Sequence, residues 1–525
     1  MAIKRPTAAR APALTLFALA ILSGAAAAAS HRGANTWCEY NGLISNAEDP
    51  RTILRQHHSP LSQCRVNFPL ADSFFGSANE TQALAAAAFM SEKLLPFDFD
   101  TYTLDEGWAE DSSGLLLDAF GRPTWNAAAF PTGGIPGLAS SLAARGIKLG
   151  LWLIRGVPRA AVARRLPIFG TAFTADQAVR NDRNCSWSST CAGSNAPSPP
   201  AAAYYASVAA QIKSWGVSLV KVDCLWPHLY EGTPQVYFNE DVEAMTDAFR
   251  GVGLALSLSP GISVSPANGS WLAAGGRADF YRIAEDVLDV YDGPADGTFP
   301  QGVHQKFAKA LEFEQLLDTN GGNGTSPDFD MLMLGRTIHS YGGAGSAFPP
   351  TETHLTPAEQ KQSVTLFSFV GVPLILGGFL PLDADANGTA TLALLTNAEV
   401  LAVHNASLAR RSFAPADGGA GERYGWRATP ANAPSPALTR YVALFSAGAD
   451  AGALPVSARF EADLGLPAGT SAVCLRDLWA RSFVSPVGGP VAGGALGFTA
   501  QVERHGARAF LVAPVGSAEC ATGLA

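Results

Sequence analysis

The stretch SWGVSLVKVDC, from Ser214 to Cys224, is the part of the sequence that decides the predicted fold. A Trp-Gly pair ends a helical segment, Val217 to Val222 forms an apolar run typical of a buried strand, and Asp223 follows directly. Parallel α/β proteins bind ligands beyond the carboxyl ends of their strands, so Asp223 is a candidate functional carboxylate. The alternative is that Asp223 only caps the next element or begins a turn, which is the more frequent outcome for a single Asp at such a place.

On both sides of this stretch, apolar runs alternate with helical patterns, which is typical of βαβ units around a parallel sheet. The predicted strands are Gly33 to Trp37, Phe99 to Asp105, Lys148 to Ile154, Val217 to Asp223, Leu254 to Ser259, Phe280 to Ala284, Phe329 to Leu334 and Val372 to Gly377. The predicted helices are Glu80 to Leu94, Ile135 to Arg145, Ala203 to Trp215, Asn239 to Arg250, Val303 to Leu317 and Pro357 to Phe369. This alternation predicts a (β/α)8 TIM barrel.

The pattern changes beyond about residue 406, where short alternating runs are separated by Gly, Pro and Ala clusters. The predicted strands there are Tyr441 to Phe445, Ser457 to Phe460, Ser471 to Leu475, Gly497 to Val502 and Arg508 to Val512. We therefore predict a signal peptide over residues 1–29, a catalytic barrel over 30–405 and a C-terminal antiparallel β-sandwich domain over 406–525. The long connection from Arg155 to about Pro200 is predicted to be a lid or pocket wall.

The first residues have the composition of a secretory signal, with basic residues at the start, an apolar run from Ala11 to Leu22 and small residues up to Ala29. No later segment reaches the roughly 18 consecutive apolar residues that a membrane span needs, so we predict no membrane segment in the mature form. Six Asn-x-Ser/Thr sequons follow, at Asn79, Asn184, Asn268, Asn323, Asn387 and Asn405. Together these features predict a glycoprotein that is secreted or vacuolar/lysosomal.

Composition argues against some partners and cofactors. The chain has 36 basic and 45 acidic side chains and a net charge of -9, without a basic run in the mature region, which argues against nucleic acid as a partner. The seven cysteines and nine histidines show no metal-ligand spacing, so no metal and no cofactor is predicted. In an oxidising compartment most cysteines should pair, and the odd number leaves at least one free or paired outside the chain.

Residues two or four apart on a strand share one face, and three sets of charged residues with this spacing stand at the ends of predicted strands. They are Lys221 with Asp223, Arg282 with Asp286 four residues on, and Asp328 with Asp330. Charges that point inward are costly unless they serve a polar pocket. A simple salt bridge at the barrel end, such as Lys221 with Asp223, is the alternative for any one set, but three sets on separate strands favour a pocket.

Several motifs in order resemble the alpha-galactosidase (melibiase) family, glycoside hydrolase family 27, from about Gly33 to Pro514. They are GANTW at Gly33 to Trp37, NETQ at Asn79 to Gln82, TLDEGW at Thr103 to Trp108, RGIKLGLW at Arg145 to Trp152, LVKVDC, YRIAEDVLDVY, DFDML, LRDLW at Leu475 to Trp479 and VERHGARAFLVAP. The stretches SLSPGISVSPA and LIRG resemble a less typical, plant-type branch.

The resemblance implies a secreted retaining exo-glycosidase that hydrolyses terminal α-D-galactosides by double displacement. Asp223 would be the nucleophile and Asp286 the acid/base, with their carboxyl groups roughly 5 to 5.5 Å apart, as retention requires. Lys221 would keep Asp223 ionised and hold a ring hydroxyl, and Arg282 would bind a hydroxyl near Asp286. The implied partner is a carbohydrate with a terminal galactose-like sugar, and the sequence leaves the oligomeric state open.

The resemblance also implies further substrate-binding residues and a disulfide. The sugar-contacting positions are Asp105, Glu106, Trp108, Trp152, Cys191 and Asp330, with Ser259 and Ile262 at the positions that distinguish a 2-hydroxyl from a 2-acetamido group. TCAG at Thr190 to Gly193 resembles the family motif whose cysteine pairs with one just after the nucleophile, which implies a Cys191 to Cys224 bridge. A pairing of Cys38 with Cys64 is a weaker expectation.

The choice of sugar stays open at this point. Glu106 replaces the family's usual Asp and is one methylene longer, so it could intrude on the space of a galactose hydroxymethyl and favour β-L-arabinopyranose, which lacks that group. Small Ser259 would admit an acetamido group, whereas Ile262 could refill the space. The alternatives are therefore the same mechanism on β-L-arabinopyranosides or α-N-acetylgalactosaminides, or a non-catalytic carbohydrate-binding relative.

Overall fold

The computed structural model describes most of the chain, with side chains except within 32–36 and at 485. The described residues are 32–36, 79–185, 187–225, 238–260, 264–294, 300–318, 325–337, 351–417, 422–431, 433, 435–450, 452–517, 519 and 520. The predicted signal peptide, Cys38, Cys64 and Ile262 lie outside the described residues. Within them, no helix is both long and apolar enough to cross a bilayer.

Eight parallel strands form one sheet, as predicted for a barrel. They are β1 Arg32–Thr36, β2 Thr101–Leu104, β3 Lys148–Ile154, β4 Leu219–Asp223, β5 Ala255–Ser259, β6 Phe280–Arg282, β7 Ser326–Asp328 and β8 Leu374–Leu376. Their spatial order is β7-β6-β5-β4-β3-β2-β1-β8. A parallel bridge from Leu332 to Leu376 then joins the segment after β7 to β8, so the sheet closes on itself. The predicted TIM barrel is confirmed.

Helices lie between the strands and after the last one. They are α1 Glu80–Phe89, α2 Gly134–Ala143, α3 Arg159–Ala163, α4 Pro199–Ser214, α5 Asn239–Met245, α6 Pro266–Ala274, α7 Gln305–Glu312, α8 Glu314–Asp318, α9 Pro357–Val370, α10 Ala386–Leu395 and α11 Ala398–Asn405. A π-helical turn continues α1 over Met90–Leu94 and another continues α5 over Thr246–Arg250. Short 3-10 helices occur at Leu95–Phe97, Ala175–Ala178, Asn181–Arg183 and Ala492–Gly494. The six predicted helices are confirmed, although Val303 to Leu317 is divided into α7 and α8.

The local sequence explains how α4 leads into the candidate nucleophile strand. Ser198 caps α4 by accepting a hydrogen bond from the Ala201 backbone, and two prolines fill the first helical positions, where no donor is needed. Gly216 ends the helical segment with a φ of 83°, a conformation that a glycine adopts without steric cost. The chain then enters β4, whose first four residues are buried. Asp223 thus comes to lie at the open carboxyl end of a buried strand.

The seventh strand differs from its prediction. The apolar segment Phe329 to Leu334 was predicted as the strand, whereas β7 lies at Ser326–Asp328 and precedes it. β7 pairs with β6 so that Asp328 lies opposite Arg282. The apolar segment is buried against the core, and apolar composition reports burial rather than strand pairing, which explains the error.

The C-terminal part is antiparallel, as predicted. Its strands are β9 Ser407–Phe413, β10 Arg423–Pro430, β11 Arg440–Ser446, β12 Leu454–Arg459, β13 Val473–Asp477, β14 Ser482–Val487, β15 Gly489–Pro490, β16 Leu496–Val502 and β17 Ala507–Pro514. A six-stranded sheet has the order β9-β10-β11-β17-β13-β14 and a three-stranded sheet the order β12-β16-β15. Apolar side chains from both sheets, such as Val442, Val456 and Phe498, share one buried cluster, which is the arrangement of a sandwich. The domain boundary stays a prediction at 405/406, between α11 and β9.

Candidate active site

The candidate nucleophile Asp223 is held by a tryptophan of the neighbouring strand. Trp152 on β3 donates a hydrogen bond from its indole Nε1 to Asp223 Oδ2 at 2.6 Å. The indole Nε1 of Trp108 in turn donates to the backbone oxygen of Trp152 at 2.8 Å. Both tryptophans are buried, whereas Asp223 is only partly buried. The carboxylate is therefore oriented from one side and accessible to a ligand from the other.

Lys221, two residues before Asp223, forms its ion pair with a different carboxylate. Its Nζ lies 2.7 Å from Asp105 Oδ2, and both side chains are almost fully buried. Burial lowers the pKa of Lys221, but the carboxylates of Asp105 and Asp223 outweigh it and raise that pKa above its usual range. The alternative of a simple Lys221 to Asp223 salt bridge is therefore wrong, because Lys221 serves as a fixed cation between two acidic side chains.

Glu106 stands beside this group. Its backbone N–H donates to Asp105 Oδ1 at 2.9 Å. Burial, followed by the charges of Glu110, Asp105 and Asp223, raises the pKa of Glu106 well above its usual range, against the opposing effect of Lys221. The carboxyl group of Glu106 therefore lies within electrostatic reach of Asp223, on the β2 side of the barrel mouth.

Arg282, the last residue of β6, connects the acidic residues on the other side of the mouth. Its NH1 donates to Ser259 Oγ at 3.0 Å, and its NH2 lies 2.6 Å from Asp286 Oδ1. Its Nε lies 3.6 Å from Asp330 Oδ1. The Arg282 side chain is 5% exposed and that of Asp286 is 30% exposed, so the ion pair leaves Asp286 partly open to solvent.

Backbone turns, rather than continued strands, bring these residues together. β6 ends at Arg282 and β7 at Asp328, so Asp286 and Asp330 lie beyond the strands on which face-sharing was predicted. Asp330 has a φ of 70°, its N–H donates to Asp328 Oδ1 at 2.8 Å, and its Oδ2 accepts from the Val287 N–H at 2.9 Å. Asp286 and Asp330 are thus brought to the site by the loops after β6 and β7, whereas Lys221 and Asp223 both lie on β4.

The two candidate catalytic carboxylates lie on neighbouring parts of one mouth. Asp223 is opposite Ser259 in the register of β4 and β5. Ser259 accepts the hydrogen bond of Arg282, and Arg282 pairs with Asp286. Two partly buried carboxylates, one fixed by an indole and one by a guanidinium, can act as a nucleophile and a proton donor across a bound sugar.

The predicted disulfide from Cys191 to Cys224 is wrong. Cys224 pairs with Cys185, with the Cα atoms 5.8 Å apart, and Cys191 is a free, buried thiol. Cys191 lies on a short antiparallel ribbon, in which it pairs with Pro158. The loop is nevertheless attached next to the candidate nucleophile, as the prediction required. A second bridge joins Cys474 and Cys520.

Cys191, Trp108 and Trp152 line a cavity behind this wall of the mouth, together with outward-facing residues of the barrel and helix side chains such as Val222 and Phe249. Trp152 borders both regions, because it lines the cavity and also donates to Asp223. Burial raises the pKa of the Cys191 thiol to about 12, so it is neutral there. Cys191 thus lines the same cavity as Trp108 and Trp152.

The comparisons with known proteins agree with this geometry. The family described as alpha galactosidase C-terminal beta sandwich domain matches residues 433–512. A β-L-arabinopyranosidase of glycoside hydrolase family 27 from Geobacillus stearothermophilus is 25% identical, with a TM-score of 0.72 over 93% of this chain and 98% of that chain. The chain resembles the alpha-galactosidase (melibiase) family, glycoside hydrolase family 27.

Two further proteins to which the chain is similar are alpha-galactosidases. Alpha-galactosidase 3 of Hypocrea jecorina is 33% identical over 132 residues, which are 25% of this chain. The match spans only 19% of the length of that curated relative. Alpha-galactosidase I of Mortierella vinacea is 18% identical, with a TM-score of 0.60 over 93% of this chain and 98% of that chain, and it supports the fold. The expected plant-type branch stays a prediction.

The protonation of Asp328, a residue of the candidate site, is a feature that the sequence did not single out. Burial and the neighbouring Asp330 raise its pKa to about 7, although Arg282 and Lys221 oppose the shift. Because an unfolded Asp has a pKa near 3.9, the folded chain binds more protons between about pH 4 and 7. Stability from this group is therefore full below about pH 4 and is lost as the pH rises towards 7.

We expect Asp328→Asn to flatten this pH dependence. The amide oxygen can still accept the Asp330 N–H, and the raised pKa corresponds to at most about 4 kcal/mol between pH 4 and 7. Urea unfolding of both proteins at pH 4.5 and 7.5 measures the effect, with exposed Asp247→Asn as the control. An unchanged slope of stability against pH in Asp328→Asn would contradict the assignment.

Among the described residues, one cluster of three carboxylates could hold a metal ion. Its members are Glu352, Asp383 and Asp385, which are all exposed. Asp383 Oδ2 already lies 3.1 Å from Arg336 Nε, and Asp385 caps α10 by accepting from the Gly388 backbone. These protein contacts account for two of the three carboxylates. The expectation that the protein uses no metal stays a prediction.

Proposed function

We propose that the chain is a retaining exo-glycosidase that removes a terminal sugar of galactose-like configuration from an oligosaccharide, galactolipid or wall glycan. The observation that carries the proposal is the contact of Arg282 with both Asp286 and Ser259, since Ser259 is in register with Asp223. This contact supports a placement of both carboxylates at one mouth of the barrel. The separation of roughly 5 to 5.5 Å that retention needs stays a prediction.

In the first step, a carboxylate oxygen of Asp223 attacks the anomeric carbon while Asp286 gives its proton to the glycosidic oxygen. The bond between that carbon and oxygen breaks, the aglycone leaves as an alcohol, and the sugar is esterified to Asp223. The indole of Trp152 holds Oδ2 of Asp223, so we assign attack to Oδ1. The fixed charge of Lys221 stabilises the ionised nucleophile before attack.

In the second step, Asp286 acts as the base. It takes a proton from a water molecule, whose oxygen attacks the anomeric carbon and releases Asp223 as a carboxylate. Two displacements on one carbon return the original configuration. Arg282 is bonded to Asp286 in the resting protein and stabilises the carboxylate form that exists after the first proton transfer.

The polar and aromatic side chains around the two carboxylates are proposed to bind sugar hydroxyls and the sugar ring. They are Asp105, Glu106, Trp108, Trp152, Lys221, Ser259, Arg282 and Asp330. Buried charged groups that are already paired, as Lys221 and Asp105 are, give directional hydrogen bonds at little cost of reorganisation. Contact of Cys191 and Ile262 with the sugar also stays a proposal.

Two glycones are proposed for this site, and they differ in one group. A terminal α-D-galactose carries a hydroxymethyl group, whereas β-L-arabinopyranose does not. Glu106 reaches one methylene farther than Asp and carries a carboxyl group within electrostatic reach of Asp223. This supports β-L-arabinopyranosides as a second candidate beside α-D-galactosides, and the similar Geobacillus stearothermophilus protein is a β-L-arabinopyranosidase.

We expect Glu106→Asp to raise the ratio of kcat/KM for nitrophenyl α-D-galactoside over nitrophenyl β-L-arabinopyranoside by roughly 10- to 100-fold, because one methylene in a sugar pocket has about that effect. Nitrophenyl α-N-acetylgalactosaminide is the third substrate. Glu110→Asp, which shortens the neighbouring carboxylate instead, is the matched control. An unchanged ratio in Glu106→Asp would show that another residue sets the glycone.

Hydrolysis of at least one of the three nitrophenyl glycosides by the wild-type protein tests the proposal as a whole. If the protein hydrolyses none of the three glycosides but still binds the free sugars, the alternative of a non-catalytic carbohydrate-binding relative is favoured. Secretion, cleavage near Ala29 and glycosylation of the sequons accompany the proposal and are checked by N-terminal sequencing and glycosidase-shift analysis of the secreted protein.

A further inference from the structure

We infer that Arg155 is a positioning residue that holds the backbone directly behind the candidate nucleophile. It immediately follows β3, and its side chain is completely buried. Its backbone N–H donates to the oxygen of Asp223, the last residue of β4, at 3.1 Å. The catalytic consequence rests on the proposed function, but the structural role does not.

The guanidinium of Arg155 connects two chain segments at their backbone oxygens. Its Nε donates to the oxygen of Cys224 at 2.7 Å, and its NH2 donates to the oxygen of Arg183 at 2.6 Å. Arg183 stands two residues before Cys185, which is the disulfide partner of Cys224. Arg155 therefore joins the same two segments as the disulfide, but through the backbone.

A third segment packs on the other side of the guanidinium. The Arg155 Cζ lies 3.7 Å from the centre of the Phe238 ring, and its NH1 lies 3.5 Å from Oδ2 of the buried Asp241 on α5. Asp241 also accepts from the Tyr205 hydroxyl at 2.7 Å. The charge of Arg155 is thus compensated inside the protein, and α5 is attached to the end of β4.

The conformation of Cys224 explains why this attachment is needed. Cys224 has a φ of 64°, a left-handed conformation that is unfavourable for a residue with a side chain. Such a turn persists only when its surroundings hold it. The disulfide holds the side chain of Cys224 and Arg155 holds its carbonyl oxygen, so the turn directly after Asp223 has two independent restraints.

The planar guanidinium is suited to this role in a way that a lysine is not. It presents donors in a rigid fork and can bond two carbonyl oxygens in fixed directions, whereas an ammonium on a flexible stem cannot reproduce both directions at once. The structure assigns Arg155 the task of fixing the direction of the Asp223 carboxylate relative to Trp152.

The test compares Arg155→Met and Arg155→Lys with Arg410→Met. Arg410 is equally buried and donates to the backbone oxygens of Val403 and His404, so its loss removes a buried guanidinium elsewhere. Hydrogen–deuterium exchange is followed in peptides covering residues 219–225. We expect faster exchange there in both Arg155 variants, and unchanged exchange there in Arg410→Met.

Kinetics provide the second readout. We expect kcat in Arg155→Met to fall about 100-fold, because a small misplacement of a reacting group has this order of effect, with KM changed less than about threefold. Arg155→Lys should recover only part of the loss, which distinguishes positioning from charge alone. If Arg155→Met does not fold, Arg155→Lys carries both measurements.

The outcomes separate the two proposals. Wild-type exchange and wild-type kcat in a folded Arg155 variant would overturn the positioning role. A wild-type protein that hydrolyses none of the glycosides would refute the proposed function, while faster exchange confined to residues 219–225 would still support the role of Arg155. If the Arg155 variants exchange faster throughout the barrel, to the same extent as Arg410→Met, they have only lost stability in general. This result would also overturn the positioning role of Arg155.

Discussion

Replacing Asp223 by asparagine is expected to lower kcat by about 10⁴-fold or more on whichever nitrophenyl glycoside the wild-type protein hydrolyses. The amide has the same shape and can still accept the hydrogen bond that Trp152 donates to Oδ2. It carries no negative charge, however, and is a poor nucleophile towards the anomeric carbon. The expected loss therefore affects chemistry more than folding, and steady-state kinetics with thermal unfolding measures both.

The control is the exposed Asp247→Asn, which removes one carboxylate elsewhere on the barrel and should keep wild-type turnover. A fluorosugar that reacts with the wild-type enzyme gives an independent check, because it should add its mass to the peptide that contains Asp223. Near wild-type turnover of Asp223→Asn, or a label on another residue, would show that the nucleophile is assigned incorrectly.

Replacing Asp286 by asparagine is expected to produce a loss that depends on the leaving group. General acid and base catalysis contributes about 10²- to 10⁴-fold, so an alkyl glycoside should lose that much in kcat/KM. The dinitrophenolate of a dinitrophenyl glycoside leaves without protonation, so kcat/KM for that substrate should change little. Since water can no longer be deprotonated, the glycosyl-enzyme should accumulate and give a burst of dinitrophenol.

Azide should then accelerate turnover of Asp286→Asn, because it attacks the anomeric carbon without needing a base. Asp292→Asn is the matched control, since its carboxylate lies six residues farther along and is 63% exposed. An equal loss of kcat/KM on the alkyl and the dinitrophenyl glycoside would mean that Asp286 only supports the pocket through Arg282. This pattern also separates Asp286 from Arg155, whose variants should lose activity on both substrates.

Much of the barrel follows from local pattern. β3 has its predicted bounds, Lys148–Ile154, because its apolar run extends between polar residues at both ends. α9 begins at its predicted residue, Pro357, and Thr356 accepts a hydrogen bond from the Glu359 backbone. These signals lie within a few residues, so the chain carries them before it folds.

The seventh strand and the disulfide show where local pattern fails. Phe329 to Leu334 is apolar and buried, yet the paired strand lies before it. Cys185 and Cys191 are six residues apart in one loop, and nothing local tells which of them faces Cys224. Both errors concern partners that are distant in sequence, and such partners depend on the path of the whole loop.

By itself, the sequence determined the order of strands and helices, the antiparallel C-terminal domain and the set of charged residues at the ends of barrel strands. Only the tertiary structure decided how those charges are paired. Lys221 bonds Asp105, which is 116 residues away, rather than Asp223 two residues on. Hydrophobic patterning specifies which residues are buried, whereas closure of the barrel determines which buried charges come within hydrogen-bond distance.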